Sequence, residues 1–374
     1  GNTVQDAYAG LAVANLGGDM TGDVNVSGNT ISQSYVGIVA ANVGGEALAA
    51  IVRDYTGDSD SDLADFLSPP ASLTGNVRVE NNQVEASLLG IAAGNAGGTW
   101  NGDLNVDGNG VTMVAMEEPP GLLETMGGGF LGDMRAGILA GNFAGDFSGN
   151  TSVSSNTVTD KEGESIGLVV GNMAGTYTGN VSITGNTVTG AYRAMIAGNT
   201  DYEGESGTWN GSFTGDFTVS NNQFSGNEWG PEVYTGSSFS GSISVTGNTV
   251  TDTNSSGMTI DVMGGHPDLI IESNEVKGNQ GHGIFLGLHR DYQGSVSIEN
   301  NVAENNGRDG IHVQNEPPGD LDAEISILSN DLKDNGRYGV YVYSCSAYSG
   351  AITVGDNNYS GNAEGDFQCG DVGK

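Results

Sequence analysis

The chain is predicted to be all-β, a single domain wound as a parallel β-helix of about eleven to twelve coils, with loop or short helical insertions. Three observations predict it. An asparagine-centred phrase recurs along the whole chain, and each copy carries the apolar-polar-apolar alternation of a half-buried strand. Sixty-three glycines against eight prolines separate the copies without a Gly-X-Y period, while 36% apolar residues is too many for a disordered chain. All 374 residues can belong to one solenoid, because each coil contacts only its neighbours.

The phrase is clearest at Thr21-Gly22-Asp23-Val24-Asn25-Val26-Ser27-Gly28-Asn29-Thr30-Ile31 and at Thr178-Gly179-Asn180-Val181-Ser182-Ile183-Thr184-Gly185-Asn186-Thr187-Val188. Its asparagines fall at Asn2, Asn29, Asn82, Asn109, Asn156, Asn186, Asn222, Asn248, Asn274, Asn301, Asn330 and Asn357, and seven of the eleven intervals are 26 to 29 residues. Period two sends Val24 and Val26 to one face and Asn25 to the other. The equivalent outward positions are Ser152, Ser182, Thr218, Ser244, Ser297, Ser326 and Thr353, so that face meets water. The asparagines themselves suit a left-handed turn and can hydrogen-bond from coil to coil as a structural ladder.

A second strand opens on glycine, as in Gly37-Ile38-Val39-Ala40, Gly137-Ile138-Leu139-Ala140 and Gly167-Leu168-Val169-Val170. In these coils even the outward residue is apolar, which predicts cover on both faces. Insertions are expected near 44–73, 113–135 and 200–213, where the intervals stretch, and near 228–239. The first contains a possible helix, Glu46 to Arg53; the second is rich in Met and Leu, and cover of the sheet by these insertions is expected over self-association.

Net charge is −35, because only eleven Lys and Arg oppose forty-six Asp and Glu. Such a surface repels phosphate backbones and anionic lipid, so nucleic acid is excluded as a partner and divalent cations are the natural counterions. No apolar run reaches the ~18 residues of a membrane span. The chain starts inside a repeat, so a processed or truncated form is expected. Cys345 and Cys369 stand 24 residues apart, close to one period, which places them on adjacent coils within reach of a disulfide and points to an oxidising, extracytoplasmic compartment.

Asn279-Gln280-Gly281-His282-Gly283-Ile284, Asn306-Gly307-Arg308-Asp309-Gly310-Ile311-His312-Val313 and Asn335-Gly336-Arg337-Tyr338-Gly339-Val340-Tyr341-Val342 resemble the repeat of right-handed parallel β-helix proteins of the pectate-lyase-like superfamily. The resemblance implies a right-handed coil, secretion and contact with polysaccharide. Those coils serve lyases, hydrolases, epimerases, adhesins and sheath components alike, so it does not choose a function. Gly281-His282-Gly283 is similar to a polygalacturonase motif, with Asp261 one coil back, but the paired carboxylates of inverting hydrolysis are missing. A lyase reading needs an arginine base beside calcium-binding aspartates, for which Arg308 and Asp309 are the candidates; the plainer reading makes His282 and Asp309 variable residues before the strand glycine. The four histidines, His266, His282, His289 and His312, differ in offset from the strand glycines, which predicts that they scatter around the coil.

Two further candidates remain. The outward position two residues after the strand glycine changes from Ala12, Val39, Ala92, Leu139, Val169 and Ile196 to Phe285, His312 and Tyr341, an aromatic platform for sugar rings or a plain coil-to-coil stack. Asp58, Asp60 and Asp62 resemble the start of a calcium loop, yet Leu63 and Pro69 stand where an EF-hand requires glycine and glutamate. No cofactor is required by this reading, and Ca2+ is the metal to expect. The expected function is a non-enzymatic structural or adhesive protein of the cell surface, partnered by itself or by cell-surface polysaccharide. A polysaccharide lyase or hydrolase, or a glycan-binding module, is the alternative.

Overall fold

The computed structural model describes residues 1–44, 71–115, 135–199, 203–204, 207–208, 211–265, 267–289, 292–316, 322–343, 345, 348 and 350–370. Among them there is no helix, and the chain is a right-handed parallel β-helix. Eleven strands, from Val24–Ser27 to Ile352–Gly355, stack in parallel in chain order as one wall. All but two of the other strands form a 27-stranded sheet that wraps the remaining sides. Register is strict: Val181, Phe217, Ile243, Leu269, Val296, Ile325 and Ile352 are successive partners.

The pleat explains the wall. Val26, Val79, Val106, Val153, Ile183, Val219 and Val245 point into a dry interior, while Ser152, Ser182 and Ser244 alternate outward and are half-buried. The phrase asparagines form a continuous ladder from Asn2 to Asn357. Each Oδ1 accepts both the backbone N–H and the Nδ2–H of the asparagine one coil earlier, for instance from Asn248 to Asn274 at 2.9 and 3.0 Å. The Nδ2 group also donates to a carbonyl of the wall, Val219 in the case of Asn248. The left-handed conformation falls one residue earlier than expected, on Gly28, Asn81, Gly108, Ser155, Gly185, Asn221 and Gly247, which leaves the ladder asparagine free to turn inward.

Two more asparagine ladders stand elsewhere on the coil. One runs Asn15, Asn42, Asn95, Asn142, Asn172, Asn199, and the other Asn279, Asn306, Asn335, Asn362. Where the first runs out, Asn199 Nδ2 and Thr235 Oγ1 are buried without a partner among the described residues. Inside the coil, Phe147, Tyr177, Phe213 and Phe239 stack with centroids 4.8 to 5.0 Å apart, and Trp100 meets Phe147 edge-on at 5.0 Å.

One turn glycine is required by close approach. Gly179 has φ 142°, and a Cβ there would lie 1.9 Å from the Gly149 carbonyl oxygen. Gly179→Ala is therefore expected to cost about 2–3 kcal/mol in equilibrium denaturation. At Gly185, where φ is 67° and no heavy atom lies within 4 Å of the Cβ position, alanine should cost about 1 kcal/mol.

Of the outward apolar residues of the early coils, Leu139 and Val169 are buried and pack with Val36, Leu88, Leu89 and Phe143; Val39, Ala92 and Ile196 are half-buried, and Ala12 is exposed. Residues 45–70 and 116–134, including the expected helix and the loop with Asp58, Asp60 and Asp62, lie outside the described residues. The stretch 228–239 is not an insertion. Trp229–Thr235 pairs in register with Arg193–Asn199 and with Met258–Val262, so the longer interval before it is absorbed around 200–211, where Glu203–Gly204 and Gly207–Thr208 form a small antiparallel hairpin. Cys345 and Cys369 form the disulfide between the last two coils, with Cα atoms 5.8 Å apart and Cys369 paired to Val342.

Candidate functional site

The site follows from register. On the sheet that contains Ile284–His289, Ile311–Glu316 and Tyr338–Tyr343, one outward column runs Val39, Ala92, Leu139, Val169, Ile196, Glu232, Thr259, Phe285, His312, Tyr341. The next outward column runs Gly198, Tyr234, Asp261, Gly287, Gln314. Both turn from apolar or small to polar at the same coil. A sheet face that is apolar in its first half thus carries hydrogen-bonding and ionisable groups in its second.

A charged centre sits at the late end. Asp309 precedes strand glycine Gly310 and is fully buried, with Oδ2 at 2.9 Å from His312 Nδ1 and 3.1 Å from His282 Nδ1. Oδ1 accepts the N–H of Tyr338 at 3.1 Å, and Arg337 Nη1 lies 3.5 Å from Oδ2. Burial alone would raise the Asp309 carboxyl, but the contacts with His282 and His312 and the Tyr338 N–H outweigh it and hold the group well below the usual carboxylate range. Burial pushes His282 below its ordinary value against the pull of Asp309, so this imidazole serves Asp309 through its contact rather than through full charge. The formal counter-charge is Arg337, whose guanidinium also faces Glu364 at 3.6 Å and lies over the Tyr341 ring at 5.2 Å.

Two of the histidines come together against the scatter that their offsets predict. His282 and His312 occupy different columns of adjacent coils, yet their rings come within 4.3 Å. The position before a strand glycine and the position two after it both face outward, and Asp309 bridges them. His289 instead pairs with Asp261 at 2.9 Å, which draws Asp261 into a separate contact beside Gly287. Arg308 is exposed, and His266 lies outside the described residues, as do Arg290 and Asp291.

Phe285, His312 and Tyr341 do stack, at 5.3 and 5.1 Å with interplanar angles of 9° and 15°. Their faces are spent on one another, and His312 is only 6% exposed, so the column offers ring edges and polar atoms outward rather than a flat platform. A second polar pair stands earlier on the same sheet. Glu232, buried, is bonded to Arg193, whose guanidinium lies 5.4 Å from the ring of half-exposed Trp229. Burial raises Glu232 despite the arginine beside it.

Residues 193–359 match the family model described as a right-handed β-helix region, which covers the coils that carry these groups. The match agrees with the right-handed parallel β-helix fold described above. Two solved structures of mutants of the periplasmic alginate epimerase AlgG are each 13% identical, with TM-score 0.48, and cover 94% of this chain and 74% of theirs. The A-module of the Azotobacter vinelandii mannuronan C-5 epimerase AlgE6 is 9% identical, with TM-score 0.35, covering 94% and 91%. No curated protein matches the chain. Among the described residues no helix is long and apolar enough to cross a membrane.

Proposed function

We propose that this is a secreted adhesive β-helix that holds a polysaccharide chain along the outward face of its late coils. One observation carries the reading: two neighbouring outward columns turn from apolar or small to polar at the same coil, at Glu232 and Tyr234, and apart from Phe285 and Gly287 on one later coil carry polar groups from there on. Rungs rise ~4.8 Å, close to the length of one hexose unit in an extended chain, so a polymer lying along the axis meets an equivalent set of groups at each sugar. Gln314, Asp261, Tyr234 and the edges of His312 and Tyr341 supply donors and acceptors in that line, and Arg337 flanks it. The charge of −35 favours a neutral polymer over a polyuronate. Secretion is supported by the Cys345–Cys369 disulfide, a bond that persists in oxidising compartments.

The test is a glycan array probed with the wild-type chain and the Tyr341→Ala variant. Binding to neutral polysaccharide that weakens at least tenfold in the variant supports the reading, the loss of about 1.4 kcal/mol being what one well-placed side chain contributes. Absence of binding to any polysaccharide overturns it. Release of reducing ends from the bound polymer, assayed with and without Ca2+, would assign the face to an enzyme instead.

A further inference from the structure

We propose that His282, Asp309 and His312 form a binding site for a divalent late transition-metal cation, with Zn2+ the simplest occupant. One ligand atom from each of the three residues falls within 4.8 Å of the other two, and all three side chains are buried. Asp309 Oδ2 is the shared vertex, 2.9 Å from His312 Nδ1 and 3.1 Å from His282 Nδ1. These separations are near the edges of a coordination polyhedron whose metal–ligand bonds are about 2.0–2.2 Å.

The remaining contacts of each residue say what the inner atoms carry. His312 Nε2 lies 3.2 Å from Gln314 Oε1, a carbonyl-type oxygen that can only accept. A proton on Nε2 can be donated to that oxygen, which frees Nδ1 to bind a cation in place of its contact with Asp309. His282 Nδ1 faces Asp309 twice, 3.1 Å from Oδ2 and 3.4 Å from the backbone N. Asp309 Oδ1 is taken by the Tyr338 N–H, leaving Oδ2 toward the imidazoles. The two Nδ1 atoms thus converge on Asp309 Oδ2: without metal a proton on each Nδ1 makes the hydrogen bond that holds the carboxyl low, and a single cation can take the place of those protons.

The outer contacts match those of metal ligands, whose second ring nitrogen and second carboxylate oxygen are fixed by hydrogen bonds. Two imidazoles and one carboxylate suit zinc and its neighbours, whereas Ca2+ takes six to eight oxygens. Arg337 does not close the site. Its Nη1 stands 3.5 Å from Oδ2, beyond hydrogen-bond range for a well-formed pair, and its side chain is 34% exposed and turned partly to Glu364. The inference is independent of the polysaccharide reading, since it concerns the metal alone.

The experiment is a calorimetric titration of the chelator-stripped chain, carrying no histidine tag, with Zn2+, and with Ca2+ as control. One Zn2+ per chain is expected, with Ca2+ unable to displace it. His312→Phe keeps a ring between Phe285 and Tyr341 but removes the nitrogen, and His282→Gln removes the other. Each should weaken Zn2+ binding at least tenfold, with thermal melts comparing the fold of the variants. Should either variant misfold, X-ray absorption of the wild-type zinc complex decides, because the proposal requires two imidazoles in the first coordination sphere. No stoichiometric Zn2+ binding by the folded wild type, binding that survives both substitutions, or a spectrum without imidazole overturns the proposal.

Discussion

Asn248→Ala is expected to destabilise the solenoid by about 3–5 kcal/mol, a large loss for a substitution that removes so few atoms. Asn248 is fully buried at the middle of the ladder. Its Oδ1 accepts the N–H and Nδ2–H of Asn222 at 3.0 and 2.9 Å, and its Nδ2 donates to Val219 O and Asn274 Oδ1. Alanine leaves the buried Asn222 backbone N–H without its acceptor, removes one of the two Asn222 Nδ2–H bonds while that to Ile183 O remains, and takes the side-chain donor from the Val219 carbonyl, each at a cost of about 1–3 kcal/mol. Asn248→Asp should be no better, because the oxygen that replaces Nδ2 would face two acceptors and bring a charge into a dry turn. Urea denaturation, with hydrogen exchange of the Asn222 and Asn248 amides, measures both effects. A change below about 1 kcal/mol would show that the ladder is a by-product of stacking and does not hold the coils in register.

Phe213→Ala is expected to cost about 3–5 kcal/mol, the range for a fully buried aromatic truncated in a rigid core. The ring lies between Tyr177 at 4.8 Å and Phe239 at 5.0 Å, nearly parallel to both, and meets Phe217 edge-on at 6.1 Å. Strand pairing on both sides fixes the rise, so the neighbouring rings cannot close the gap and a cavity remains. Phe213→Leu should recover part of the loss by filling volume without restoring the stack. Because each coil touches only its neighbours, the effect should appear as opening of the coils around residue 213 rather than of the whole rod, which hydrogen exchange resolves. Uniform loss of protection from end to end would contradict the nearest-neighbour picture.

The architecture was legible because a parallel β-helix writes its geometry directly into its period: a residue and its copy one phrase later are hydrogen-bonded partners. The same logic placed Cys345 beside Cys369. The other asparagine ladders were equally available, since Asn95, Asn142, Asn172 and Asn199 each follow a glycine at the end of the strand, but they lie outside the phrase used to set the register. The interior aromatic stack also has a signal, an aromatic residue two places before the turn glycine at Trp100, Phe147, Tyr177, Phe213 and Phe239. Reading 228–239 as an insertion removed Glu232 and Tyr234 from their columns and hid how early the outward face turns polar.

The histidine centre was harder to see. Column position alone separates His282 from His312, and only the side-chain reach of buried Asp309 across the strand glycine brings them together. The aromatic column was visible as a column, but its rings turn their faces to one another. Sequence gives the order of such residues and not the tilt of their planes.

The most direct test of the polysaccharide face is a crystal structure of the wild-type chain with a neutral oligosaccharide selected on the array. The account expects sugar density along the axis over Tyr234, Asp261, Gln314 and Tyr341, advancing about one residue per ~4.8 Å rung. Density on the Ser and Thr wall around Ser182, Ser244 and Ser297, or at the turns, with the late coils bare, would contradict it.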